Sequence, residues 1–211
     1  MRVIAIDGPA GAGKSTVARA LAERLELEYL DTGAMYRAIT YAALQRHIPL
    51  DDVDEVAALA RAATLEVGEG GVIVDGVDAT AAIRTADVTA AVSKVAANSG
   101  VRAELRARQQ RWAAVRGGGV IEGRDIGSVV FPDAEMKLYL TASPRVRAER
   151  RVEEAGGDVD EIERSIVARD HYDSTRLDSP LTEAAGSTLV DTTGLTIEQV
   201  LDHILRLMEH A

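Results

Sequence analysis

The chain opens on an unbroken apolar run, VIAI at residues 3–6, and passes at Gly8 into small and polar residues. Apolar positions then recur at helical spacing, with Val17, Ala20, Leu21 and Leu25 on one face. The run predicts a strand buried on both faces, and the spacing after it predicts a helix over residues 14–25 that packs on the resulting sheet. LEYLDTG repeats the theme. It reads as a short strand leading into a helix, with Asp31 and Thr32 as caps and Met35, Ile39, Ala42 and Ala43 as the apolar side. Val120 and Ile121, MKLYLTAS and STLVDTTG predict further strands. Helical text follows in SPRVRAERRVEE, which has Pro144 near its start, in VDEIERSIVARDHYDSTR, and in TIEQVLDHILRLME. In the last of these Ile197, Val200, Leu201, Ile204 and Leu205 make the core side. Strands that alternate with helices in this way predict an α/β fold with a parallel sheet.

The rhythm breaks after Pro49. DDVDEVAALARAATLEV predicts an acid-capped helix leading to a strand, and GEGGVIVDGVDAT a hairpin turned on glycine, which interrupts the strand-helix alternation. Residues 49–100 are therefore expected to form a small inserted subdomain that binds an acceptor. The helical text that follows is broken near Asn98, with Ser93 and Arg102 on either side of the break, where two helix ends would point at one ligand.

The densest chemistry lies in VIAIDGPAGAGKST. Gly8, Gly13, Lys14 and Ser15 satisfy GxxxxGKS, and the strand before and helix after supply the context that pattern requires. Small residues from Gly8 through Pro9, Ala10, Gly11, Ala12 and Gly13 let backbone N–H groups curl around phosphate oxygens. The positive end of the helix faces the same anion, and Lys14 adds a mobile charge toward the β- and γ-phosphates. Ser15, followed by Thr16, offers its hydroxyl to Mg²⁺.

A second dense stretch is EGRDIGSVVFPDA. The strand before it delivers Glu122, Arg124 and Asp125 to the C-terminal edge of the sheet, where ligand sites of α/β folds lie. Glu122 ends the strand and can orient Mg²⁺ or its water shell. Asp125, on the following loop, is better placed for a second substrate. Tyr36 and Arg37 occupy the first turn of the second helix, where an arginine faces away from any core and could hold an acceptor phosphate. Arg147, Arg150 and Arg151 fall within two helical turns, so at least two can face the same ligand. Arg169, Asp173 and Arg176 read equally well as an internal salt bridge or as a phosphate and sugar clamp.

Charge and composition narrow the picture. A net charge of -10 argues against wrapping a nucleic-acid backbone, and a single Trp and a single Phe leave little surface for stacking bases. The chain contains no cysteine, so disulfide and thiolate chemistry are excluded. A strand at the very start in place of a leader, and no apolar run of about 20 residues, predict a cytoplasmic protein without a membrane partner. His203 and His210 lack a ligand cluster and are read as solvated.

The ordered set IDGPAGAGKST, LDTGAMYR, IRT, SKVAANSGVR, EGRDIGSVVFPDA, ERR and ARDHYDSTR resembles the bacterial cytidylate kinase family over nearly the whole chain. The first motif is generic, whereas DTGAMYR and GRDIGSVVFPDA are specific. The resemblance implies one P-loop nucleoside-monophosphate kinase domain: a central parallel sheet flanked by helices, a mobile monophosphate-binding insertion at 49–100 and a short helical lid at 147–176. It implies ATP as phosphoryl donor, CMP or dCMP as acceptor, and Mg²⁺ as cofactor. Lys14, Arg124, Arg147, Arg151 and Arg169 would be catalytic, and residues 8–16 would bind ATP. Thr32, Tyr36, Arg37, Ser93, Arg102, Arg124, Asp125, Arg169, Asp173 and Arg176 would bind CMP, with Ser15 and Glu122 toward the metal. The sequence departs from the family pattern at Glu122, where Asp is common, and at Tyr172, where Arg occurs. A monomer is expected, because such a kinase assembles its site within one chain. A small-metabolite kinase or a nucleotide-dependent switch could use the same loop, but the switch needs neither an acceptor-binding insertion nor an arginine lid.

Overall fold

The computed structural model describes residues 1–68 and 70–209; His210, read above as solvated, and Glu69, in the turn of the expected hairpin, lie outside the described residues. In chain order the elements are β1 (Arg2–Asp7), α1 (Lys14–Leu25), β2 (Tyr29–Asp31), α2 (Thr32–Gln45), α3 (Val53–Ala62), β3 (Leu65–Gly68), β4 (Gly71–Val74) and β5 (Val77–Asp78). They continue with α4 (Ala86–Ala96), α5 (Ser99–Arg116), β6 (Gly118–Glu122), β7 (Met136–Thr141), α6 (Pro144–Ala155), α7 (Val159–Thr175), β8 (Thr188–Asp191) and α8 (Ile197–Glu209). The predicted helix over 14–25 and the helix break at Asn98 are both present.

The chain divides into two compact units. One comprises Met1–Tyr29 and the chain from Arg116 onward, and the other Leu30–Val115. The second unit is wider than the expected 49–100 stretch, taking in α2 ahead of it and nearly all of α5 behind it.

A five-stranded sheet has the order β2-β6-β1-β7-β8, and its strands β6, β1, β7 and β8 organise the first unit. β1 runs parallel to both neighbours, with Ile4 opposite Val120 and Met136, and Ile6 opposite Glu122 and Leu138. Burial follows the apolar pattern. β6 is buried at every residue and β1 at all but its first, whereas the edge strand β8 buries only Val190 fully. Ile4, Ile6, Leu21, Leu138, Leu140 and Leu201 pack together with almost no exposure, each side chain contributing about 1.5–3 kcal/mol by its removal from water. Val200, Leu201 and Ile204 bring α8 onto this core as expected. Ile197 does not join them: it is 46% exposed, because the helix begins there and its first residue borders an open cavity.

In the second unit β3, β4 and β5 form an antiparallel sheet, with Leu65 opposite Val74 and Ile73 opposite Asp78. Asn98 fastens the break between α4 and α5. Its Oδ1 accepts from the N–H of Gly100 and Val101, and its amide nitrogen donates to the Val53 carbonyl at 2.8 Å.

Candidate functional site

In the first unit the ends of β1 and β6 place Asp7 and Glu122 side by side on the C-terminal sheet edge, since Ile6 pairs with Glu122. The Gly-rich loop leaves β1 at Gly8, whose φ of +143° and position leave no room for a side chain: a Cβ there would sit 1.9 Å from the Leu140 carbonyl oxygen. Gly13 closes the loop in the left-handed region, at φ 83°, directly before α1. No side chain caps α1, whereas Asp31, Asp52, Ser143 and Asp158 cap α2, α3, α6 and α7. The first turn of α1 thus presents its N–H groups to an anion.

Lys14 is buried, and its Nζ donates to the Pro9 carbonyl at 2.8 Å, across the loop it belongs to. Burial above all, then the Arg124 guanidinium, pushes its pKa below the ordinary lysine range, while Glu122 and Asp7 draw it back up. Glu122 is buried and accepts from the Tyr29 hydroxyl at 2.5 Å. Ser15 is exposed on the first turn of α1.

The arginines fall into two groups. Asp173, whose side chain is 5% exposed, gathers Arg124 at 3.2 Å, Arg169 at 3.9 Å and Arg176 at 4.0 Å. The expected Arg169, Asp173, Arg176 constellation is therefore real and has Arg124 as a further member. The second group borders the loop. Arg147 is buried, donating from Nε to the Ala142 carbonyl at 2.9 Å and from Nη1 to the Ala10 carbonyl at 3.0 Å, with Asp170 at 2.6 Å. Its guanidinium is committed to protein oxygens and braces the loop. Arg150 bonds to Thr192, through both the hydroxyl and the carbonyl. A cavity of about 550 Å³ opens beside the loop, bordered by Ser15, Thr16, Arg150, Arg151, Leu195 and Ile197 among others.

Asp125 is buried on the turn after β6, just before a π-helical turn at Ile126–Val130. The sequence reading missed the residue beneath it. Asp7 accepts from the Ile126 N–H at 2.8 Å and the Gly127 N–H at 2.7 Å. Its pKa is raised to about 6, chiefly by burial, with the two backbone bonds opposing and Asp125 adding. An acid closing an apolar strand that feeds the loop was the available signal.

The second unit holds the other expected residues. Thr32 is buried at the start of α2, and the Arg102 guanidinium lies over the Tyr36 ring, 5.6 Å from its centre. Arg102 also donates to the Ala96 carbonyl at 3.1 Å, which ties it to the end of α4, the helix that carries half-buried Ser93. Arg37 departs from expectation. It is half-buried, not turned away from the interior, because its Nη1 donates to the Ile83 carbonyl and the Thr89 hydroxyl at 3.2 and 2.9 Å.

Among the described residues no three Asp, Glu or His side chains cluster as a metal site. The oxygen donors on the loop edge, the Ser15 hydroxyl and the Glu122 carboxylate, nonetheless fit Mg²⁺, which favours oxygen, retains water and takes part of its shell from substrate phosphates.

Solved structures share the fold: a shikimate kinase from Bacteroides thetaiotaomicron at TM-score 0.51 and 14% identity, covering 99% of this chain and 98% of that one, and a gluconokinase from Sinorhizobium meliloti at TM-score 0.51 and 15% identity, covering 99% and 94%. In sequence the chain is 49% identical to a cytidylate kinase of Desulfitobacterium hafniense, over 97% of this chain and 91% of that protein. It is 52% identical to a bifunctional pantoate ligase/cytidylate kinase of Synechococcus, where it spans 97% of its own length but 40% of the longer protein. No helix among the described residues is long and apolar enough to cross a membrane. The cytidylate kinase family profile matches residues 4–210. On that match and those relatives, the chain belongs to the cytidylate kinase family.

Proposed function

We propose that this protein transfers the γ-phosphoryl group of ATP to CMP or dCMP, giving ADP and CDP or dCDP. The observation that supports this most directly is the gathering of Lys14, Glu122 and Arg124 at one sheet edge of a chain that belongs to the cytidylate kinase family. An acceptor phosphate oxygen is already a competent nucleophile, so the reaction needs no side chain as base. A bond forms from that oxygen to the γ-phosphorus, and the bond from phosphorus to the bridging β-oxygen breaks. Catalysis then consists of alignment and charge neutralisation.

Residues 8–16 hold the donor triphosphate, and Lys14 exchanges the Pro9 carbonyl for phosphate oxygens. The anion also supplies the charge that restores a fully protonated lysine. Mg²⁺, held by Ser15 and, through water, by Glu122, would neutralise charge on the donor phosphates. Arg147 positions the loop through the Ala10 carbonyl, and Arg151 borders the donor cavity. For the acceptor, the family resemblance supports Thr32, Tyr36, Arg37, Ser93, Arg102, Arg124, Asp125, Arg169, Asp173 and Arg176. Arg37 and Arg124 take the phosphate, Arg169 and Asp173 the sugar, and Ser93, Arg102 and Asp125 the base. The Asp125 carboxylate accepts from cytosine N4, where uracil would present an oxygen. Water is excluded during transfer, since hydrolysis of ATP is the competing reaction.

The protein acts as a cytoplasmic monomer, a reading supported by its cysteine-free composition and by a full complement of site residues in one chain. A coupled assay of ADP release with ATP and a panel of nucleoside monophosphates tests the function. CMP and dCMP should be the preferred acceptors. Preference for AMP, GMP or a non-nucleotide acceptor, or ATP consumption that needs no acceptor, would overturn it.

A further inference from the structure

We propose that Asp7 is a positioning residue for acceptor recognition, its carboxylate holding in place the turn that carries Arg124 and Asp125. The inference rests on the reading above that Asp125 meets the base.

Asp7 is the last residue of β1, immediately ahead of the loop glycine Gly8, and is 3% exposed. Each of its oxygens takes one backbone donor: Oδ1 the Ile126 N–H at 2.8 Å, and Oδ2 the Gly127 N–H at 2.7 Å. Those two amides open the π-helical turn Ile126–Val130, where N–H groups have no acceptor within the turn itself. The residue in the capping position is Asp125, and its side chain makes no cap bond. Asp7 caps the turn from the neighbouring strand instead. The cap thus comes from Asp7, while the turn fixes the Asp125 backbone. The Asp125 carbonyl still accepts from the N–H of Val129 at 2.9 Å and Val130 at 3.2 Å, so the turn is tied at both ends.

The geometry calls for a carboxylate in particular. Two N–H donors reach two different oxygens, and an asparagine would meet one of them with its own N–H₂ group. Burial and the nearby Asp125 raise the Asp7 pKa to about 6, so this charge is kept in an unfavourable place. The same group lies close enough to Lys14 to affect its titration. A shift of about 1 Å in reacting or recognising groups is enough to cost on the order of a hundredfold in rate.

The test is Asp7→Asn in the full chain, read as KM for CMP, KM for ATP and the CMP/UMP ratio of kcat/KM. One lost charged bond and one unpaired buried N–H should raise KM for CMP roughly tenfold or more. The CMP/UMP ratio should shrink toward that of Asp125→Ala, while KM for ATP changes much less. Amide hydrogen exchange at Ile126 and Gly127 should accelerate relative to the rest of the turn. A purely structural Asp7 would lower Tm and scale kcat for both acceptors equally, with the ratio and KM for CMP unchanged; that result overturns the proposal. Should Asp7→Asn not fold, Asp7→Glu keeps the charge but displaces the turn, and the same loss of ratio is expected. If Asp125→Ala leaves the ratio intact, the reading of Asp125 falls, and the Asp7 proposal then stands or falls on KM for CMP and amide exchange.

Discussion

Replacing Asp173 by alanine removes a carboxylate shared by Arg124, Arg169 and Arg176, at 3.2, 3.9 and 4.0 Å. Asp173 and Arg176 are 5% exposed in their side chains, whereas Arg124 and Arg169 retain 19% and 22%. Breaking a buried pair by deleting one partner costs about 3–5 kcal/mol, because the remaining charge stays buried. Partial exposure of two of the arginines places the loss near the lower end, about 3 kcal/mol. For a chain of this size that corresponds to a fall in Tm of roughly 6–12 °C. Asp173→Asn, which keeps an acceptor but no charge, should fall between the variant and wild type. The excess positive charge left behind should also make inorganic phosphate stabilise Asp173→Ala more than wild type, compared with chloride at equal ionic strength. Thermal melts of the three proteins in the two salts provide the measurement. A folded Asp173→Ala that melts within about 2 °C of wild type, with no added response to phosphate, would refute the view of Asp173 as the hub of this arginine cluster.

Lys14→Ala deletes the mobile cation of the loop while leaving the core untouched, so kcat should fall on the order of 10²–10³-fold with Tm retained; near-normal turnover would contradict its role. Asp7 adds a pH signature. Its folded pKa of about 6 lies above the ordinary 3.8, so its contribution to stability is fully present below pH 3.8 and is lost as pH rises through 6, on the order of 3 kcal/mol. Stability curves against pH should therefore diverge, Asp7→Asn gaining on wild type between about pH 4 and pH 7, and parallel curves would contradict the assignment. Arg147→Ala takes the donor from the Ala10 and Ala142 carbonyls and strands the Asp170 carboxylate. KM for ATP should rise on the order of tenfold with a smaller effect on CMP, and the reverse order would place Arg147 on the acceptor side.

The fold was legible where a local signal matched a global demand. VIAI reads as a buried strand because a central parallel strand is apolar on both faces, and GxxxxGKS needs its strand and helix in order to work. Ile197 misled because apolar spacing marks a face but not where along the helix that face loses its partner. Arg37 misled because its acceptors, the Ile83 carbonyl and the Thr89 hydroxyl, lie 46 and 52 residues away in sequence. Asp7 was passed over for a similar reason. Its partners at Ile126 and Gly127 are backbone amides, which leave no mark in a sequence, and are 119 and 120 positions distant. The Asp173 cluster was half visible. Arg169 and Arg176 stand one helical turn to either side, but Arg124 arrives from the turn after β6.

The central claim, a cytidylate kinase whose Asp125 distinguishes cytosine from uracil, is tested most directly by kcat/KM for CMP and UMP in wild type, Asp125→Ala and Arg37→Ala. One well-formed polar discrimination contributes about 1–3 kcal/mol, so wild type should prefer CMP by roughly ten- to a hundredfold. Asp125→Ala should narrow that gap by losing more activity with CMP than with UMP. Arg37→Ala should weaken both acceptors alike, since phosphate is common to them. A folded Asp125→Ala that preserves the wild-type CMP/UMP ratio would contradict the account.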